Sequence, residues 1–115
     1  MATGTIPKPS LAVTEITNSV TFNENITGTN TRIYVKDNVL FVFYQGESKT
    51  HSQNDVLFQL PSAYKPQAQT YSVFVINNTG YGNVSLNGSG SCFINQIANG
   101  GTAGRIYSNF SVPLI

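Results

Sequence analysis

With 115 residues the chain has room for one domain around one core, because a chain of this size buries roughly two thirds of its unfolded surface and gains little by dividing. Only 10% of it is charged, against about 25% in an average globular protein, and the net charge of +1 comes from cations scattered singly, which excludes the clustered basic surface that nucleic acid requires. No apolar run approaches the roughly 18 to 20 residues of a membrane-spanning helix, and the N-terminus lacks the basic-then-apolar layout of a signal peptide, so the chain is predicted to be soluble, without membrane insertion and without its own export signal.

Residues 1–10, with Pro7 and Pro9 around Lys8, read as an extended lead-in, leaving 11–115 as a single domain. From there on no stretch shows the 3.6-residue period of an amphipathic helix. Short segments rich in Val, Ile, Phe, Tyr and Thr recur instead between Gly, Asn and Pro, the pattern of an all-β, antiparallel sandwich or barrel. Strands are predicted at 11–16, 19–23, 31–36, 38–45, 56–59, 70–76, 82–87, 91–97 and 105–112. Lys36-Asp37-Asn38 and Asn87-Gly88-Ser89-Gly90 supply residues that tolerate positive φ, which pairs 31–36 with 38–45 and 82–87 with 91–97 as hairpins.

Successive side chains of a strand point to opposite faces, so alternation reports burial. In the last strand Ile106, Ser108, Phe110 and Val112 fall on one face and Arg105, Tyr107, Asn109 and Ser111 on the other, the signature of a half-buried strand. Val39 to Tyr44 and Tyr71 to Ile76 are apolar on both faces, apart from Ser72. A domain this small without helices has little to cover a second face, and copies of the chain are the expected cover. Between these runs, Pro61 and Pro66 make a stiff crossover that Leu60 and Tyr64 anchor to the core. The run from Asn99 to Gly104 reads as a flexible hairpin loop.

Few residues carry chemistry. Cys92 stands alone between Ser91 and Phe93 and reads as a small buried hydrophobe. His51 is the single histidine and reads as a solvated loop residue, which leaves no set of ligands for a metal. The five acids, Glu15, Glu24, Asp37, Glu47 and Asp55, mark out no pair spaced for glycosidic hydrolysis, and no Gly-x-Ser-x-Gly elbow offers a nucleophile. The chain is therefore read as non-enzymatic and without cofactors. The loop Asn77-Asn78-Thr79-Gly80-Tyr81-Gly82 combines amides with an aromatic ring, the groups that suit sugar hydroxyls and apolar C–H faces.

The order of "RIYVKDNVLFVFYQG", a polar stretch, "LPSAYKP", a long apolar strand, a Gly/Asn hairpin and a terminal "YSNFSVPLI" resembles the C-terminal receptor-binding head domains of bacteriophage tail-fibre and baseplate proteins over residues 30–115. The resemblance implies a jelly-roll-like β-sandwich head at the tip of a homotrimer in the virion. Its implied partners are an upstream fibre shaft or baseplate protein and a bacterial surface polysaccharide or teichoic acid. In such heads the sugar site draws on the late hairpin and an arginine near the C-terminus; Asn83 and Ser85 stand at the hairpin positions, Ile94 or Asn95 opposite, and Arg105 is the retained arginine. The expected contacts are Asn77, Asn78, Tyr81, Asn83, Asn95 and Arg105. A second expectation is a structural virion role, in capsid decoration, a head fibre or baseplate assembly, without glycan binding.

Overall fold

The computed structural model describes residues 12–23, 30–47, 49–76, 80–98 and 103–115, and over these the regular structure is β apart from one 3-10 turn at Thr17–Ser19. The strands are β1 (Thr14–Glu15), β2 (Thr21–Phe22), β3 (Arg32–Lys36), β4 (Val39–Gln45), β5 (Lys49–Thr50), β6 (Val56–Gln59), β7 (Thr70–Ile76), β8 (Gly80–Leu86), β9 (Ser91–Ala98), β10 (Ala103–Gly104) and β11 (Ile106–Pro113). Nine of them form one antiparallel sheet in the order β1-β3-β4-β11-β7-β8-β9-β6-β2, and β5 pairs separately with β10. The lead-in over 1–10 lies outside the described residues.

Connectivity forces this sheet to curl. Strands β1 and β2 lie at its opposite ends, yet only residues 16–20 separate them in the chain. A flat nine-stranded sheet would hold its edges about 38 Å apart at the usual strand spacing. The intervening residues reach at most about 20 Å. The two ends must therefore approach each other, and the 3-10 turn lies across the seam. Ile16 donates its N–H to Ile33 O (3.0 Å), the Thr17 hydroxyl accepts Ile33 N–H (2.9 Å), and Asn23 binds the Leu57 and Val56 carbonyls. Ile16 and Val20 are buried beneath this bridge.

Alternation decides which side chains enter the curl. Ile33, Leu40, Val42, Tyr44, Phe74, Ile76, Val84, Leu86, Ile94, Ile106 and Val112 line the concave side and are buried, each large apolar side chain contributing about 1.5–3 kcal/mol. Phe22, Tyr44 and Phe58 meet there, with ring centroids 5.9–6.5 Å apart. Leu60 is buried and Tyr64 packs against the core, as the crossover requires, while Pro66 bridges to Leu114 and Gln67 holds the Pro113 and Leu114 carbonyls.

Both predicted hairpins form, β3 with β4 and β8 with β9. Three readings change. The stretches 11–16 and 19–23 shrink to two-residue strands, because their residues between serve to cross the seam. The polar stretch after β4 and the end of the glycine-rich run contribute β5 and β10 instead of remaining loop. His51 is fully buried and not solvated: its Nε2 lies 3.1 Å from Gly104 O and 3.3 Å from Glu47 O. Carbonyls only accept, so Nε2 carries the hydrogen, and the imidazole ties the β5 end to β10.

Candidate functional site

The convex side of the sheet carries the chain's unusual surface. On β7, Tyr71, Val73 and Val75 point outward, 59%, 70% and 49% exposed, and on β8 Tyr81 is 62% exposed opposite Val75. Those of β7 are the outward residues of a run that is apolar on both faces.

Beside this ridge lies an open hollow of about 570 Å³, lined by Gln53, Val73, Tyr81, Asn83 and Gln96 together with the backbone of Gly82 and the end of β9. Next to it the β8–β9 ladder is irregular. Asn83 stands opposite Gln96, but the next residue, Val84, stands opposite Ile94, so Asn95 is an extra residue in β9. A bulge of this kind re-aims side chains. Here it turns both Asn95 and Gln96 towards Asn83: Asn95 Nδ2 donates to Asn83 Oδ1 (2.8 Å), and Asn83 Nδ2 donates to Gln96 Oε1 (3.3 Å). The three amides form a row with one polarity. Among the described residues the Asn95 carbonyl oxygen and the Gln96 amino group are left over at its two ends, one acceptor and one donor.

Two further details build the hollow. Gly82 is required there: a Cβ at this position would collide with Gln96 O and stand 2.8 Å from the Phe74 ring, so the strand can pass between the bulge and the core only without a side chain. Gln53 arrives from the turn Ser52–Asp55, where Asn54 adopts φ 73°, Ser52 N–H donates to the Asp55 carboxylate (2.8 Å), and Asn54 N–H and Asp55 O clasp Ile94 of β9. Among the described residues no charged side chain lines the hollow.

Of the contacts expected from sequence, Tyr81, Asn83 and Asn95 are brought together. Asn77 and Asn78 lie outside the described residues. Arg105 follows β10, is partly buried and does not line the hollow; its Nε is buried without a hydrogen-bond partner among the described residues. Ser85 is buried and takes a hydrogen bond from Gln69 Nε2 (2.7 Å). Gln53 and Gln96 escaped the sequence reading. Gln96 was within reach, since its strand was paired with that of Asn83, but only the bulge sets the two opposite each other; nothing local marks Gln53.

Several of the described titratable groups are held locally. Glu15 pairs with Arg32, whose guanidinium stacks 4.2 Å over Tyr34, and the Glu15 hydrogen bond raises the Arg32 pKa. Asp37 sits in a turn and Asp55 caps Ser52. Among the described residues His51 Nδ1 has no hydrogen-bond partner. Cys92 is fully buried and burial pushes its thiol up, which makes it inert at neutral pH. Among the described residues no three His, Cys, Asp or Glu side chains converge in a manner that holds a metal, and no helix is long and apolar enough to cross a membrane.

Neither a scan against models of protein families nor a search of curated proteins finds a match for this chain.

Proposed function

We propose that this chain is a non-catalytic adhesion module, a jelly-roll-like β-sandwich head that assembles as a homotrimer at the tip of a bacteriophage tail fibre or baseplate and binds saccharide on a bacterial surface. The observation that carries the reading is the amide row Asn95–Asn83–Gln96, of which Asn83 and Gln96 line, with the exposed Tyr81 ring, a hollow that no charged side chain among the described residues enters. A sugar hydroxyl both donates and accepts, so neighbouring hydroxyls suit a row that ends in one acceptor and one donor, while the apolar C–H face of the ring suits tyrosine. A neutral lining favours an uncharged polysaccharide over a teichoic acid, whose phosphates gain most from basic side chains.

Shallow sites of this type bind weakly, at roughly millimolar to tens of micromolar, and three copies per head on several fibres raise the effective affinity through avidity. The order of sequence features shared with phage heads supports the same reading. The test is an array of bacterial wall polysaccharides and teichoic acids probed with the purified chain. Saturable binding to a subset of neutral glycans is expected, weakened about tenfold or more, or about 1.4 kcal/mol, by Tyr81→Ala and by Asn83→Ala without loss of fold. No binding across the array would overturn the adhesion reading and leave the structural virion role, which the exposed apolar ridge alone would serve.

A further inference from the structure

We infer that the glycan is a linear chain laid across the strands, and that a second hollow, between β7 and β11, holds the sugar units beyond the one at Asn83. The inference rests on the saccharide reading and adds to it the length of the ligand, its direction and a second set of contacts. The second hollow, of about 290 Å³, is lined by Val73, Phe74, Val75, Tyr107, Ser108 and Asn109. It opens because the two strands part. Their ladder ends at Tyr107 with Val75, and they are tied again where Gln67 N–H donates to Pro113 O (3.0 Å). Between these ties the β7 side is two residues longer than the β11 side, so regular pairing cannot continue. Ser108 Oγ donates to Val73 O (2.9 Å) and takes up a carbonyl where the ladder has stopped.

Val73 lines both hollows, which makes them neighbours on the convex side. Ladder register then sets two rows across the strands. One row is Tyr107 on β11, Val75 on β7 and Tyr81 on β8, each opposite the next. The other is Val73, Asn83 and Gln96 on β7, β8 and β9, and the exposed Asn109 carries it into the second hollow. The rows lie two residues apart along the strands, about 7 Å, which leaves a track one sugar ring wide. Across the track the strands of Tyr107 and Tyr81 are two spacings apart, about 10 Å. A hexose in an extended polysaccharide advances its chain by about one such spacing. A glycan crossing β11, β7 and β8 therefore sets every second ring on a tyrosine while its hydroxyls run along the amides. Strands β7, β8, β9 and β11 contain no Asp, Glu, Lys or Arg, so the track is neutral from end to end, as suits an uncharged chain.

The test is an NMR titration of the full chain with fragments of a neutral bacterial wall polysaccharide, graded by partial hydrolysis from single sugars to chains of several units. Affinity is expected to rise about tenfold or more between the single sugar and a four-unit fragment. Tyr107→Ala and Asn109→Ala, with unchanged circular dichroism, are expected to lower the affinity for the four-unit fragment about tenfold and to leave that for the single sugar as it was. Tyr81→Ala lowers both. Asn109 is exposed, so its variant tests the second hollow even if the loss of the partly buried Tyr107 disturbs the sheet. Affinity that does not change with length, or four-unit binding untouched by Asn109→Ala and Tyr107→Ala, overturns the inference while the single-sugar site and the saccharide reading stand. A chain that binds no fragment of any length overturns both.

Discussion

Cys92 and Tyr44 show how far the curled sheet alters single side chains. Both face the concave core, and burial raises both pKa values above their free values of 9.0 and 10.0; for Tyr44 the nearby Cys92 and Glu47 add to the effect. Each group stays protonated in the folded state at a pH where the unfolded chain has lost the proton. The stability they contribute is therefore complete below about pH 9 and declines as the pH rises through 9.0 and then 10.0, by up to about 1.4 kcal/mol per pH unit per group. Urea midpoints measured from pH 8 to 11 are expected to fall in that order, and Cys92→Ala is expected to delay the onset to the tyrosine range. A flat profile would show that neither group is held in its neutral form. That Cys92 is buried was legible in its apolar setting. That His51 is buried was not, because its polar neighbours describe the chain and not the carbonyls of Gly104 and Glu47 that receive its ring.

At the scale of elements, the β3–β4 hairpin is the part most firmly written in local chemistry. Asp37 and Asn38 take φ of 51° and 63°, the doubly left-handed turn whose twist matches that of the strands, and the two residue types are among the few that accept it. Asn38 also reaches the end of the chain: its Nδ2 donates to Leu114 O (2.8 Å) and its carbonyl accepts Leu114 N–H (3.0 Å). Asn38→Ala is expected to cost about 1–3 kcal/mol through backbone strain and a lost hydrogen bond. Asn38→Gly keeps the turn and is expected to cost less, with urea denaturation as the measure; equal losses would mean that the left-handed conformation carries no strain. The β8–β9 bulge is the opposite case. Which residue of β9 is surplus depends on how two strands align over their whole length, and so the pairing was legible while the meeting of Asn95, Asn83 and Gln96 was not. Strands β5 and β10, two residues each, leave no periodicity to read.

The whole molecule depends on one short crossing. The chain passes from β1 to β2, from one end of the sheet to the other, through a single 3-10 turn, so the burial of Ile16 and Val20 holds together edges that no ladder in the described residues joins directly. Ile16→Ala is expected to cost about 2–5 kcal/mol and, more tellingly, to speed hydrogen exchange in β3 and β6 before the rest of the sheet. Uniform acceleration across all strands would show that the seam is not a separate unit of stability. A second joint is thin as well: β11 meets β7 through only Ile106 with Ile76 and Tyr107 with Val75, and beyond it Ser108 Oγ caps Val73 O (2.9 Å) where the ladder stops.

The sequence by itself determined the β class, the position of most strands, the two hairpins, the burial of alternate residues in β11 and the existence of strands apolar on both sides, because each of these follows from side-chain period and turn chemistry within a few residues. Only the tertiary structure decided the strand order, the closure of the sheet by residues 16–20, the surplus residue that gathers three amides beside Tyr81, and the separation of Arg105 from that group. These depend on contacts between residues distant in the chain, whose alignment is set by the packing of the whole sheet and leaves no periodic trace in any one segment.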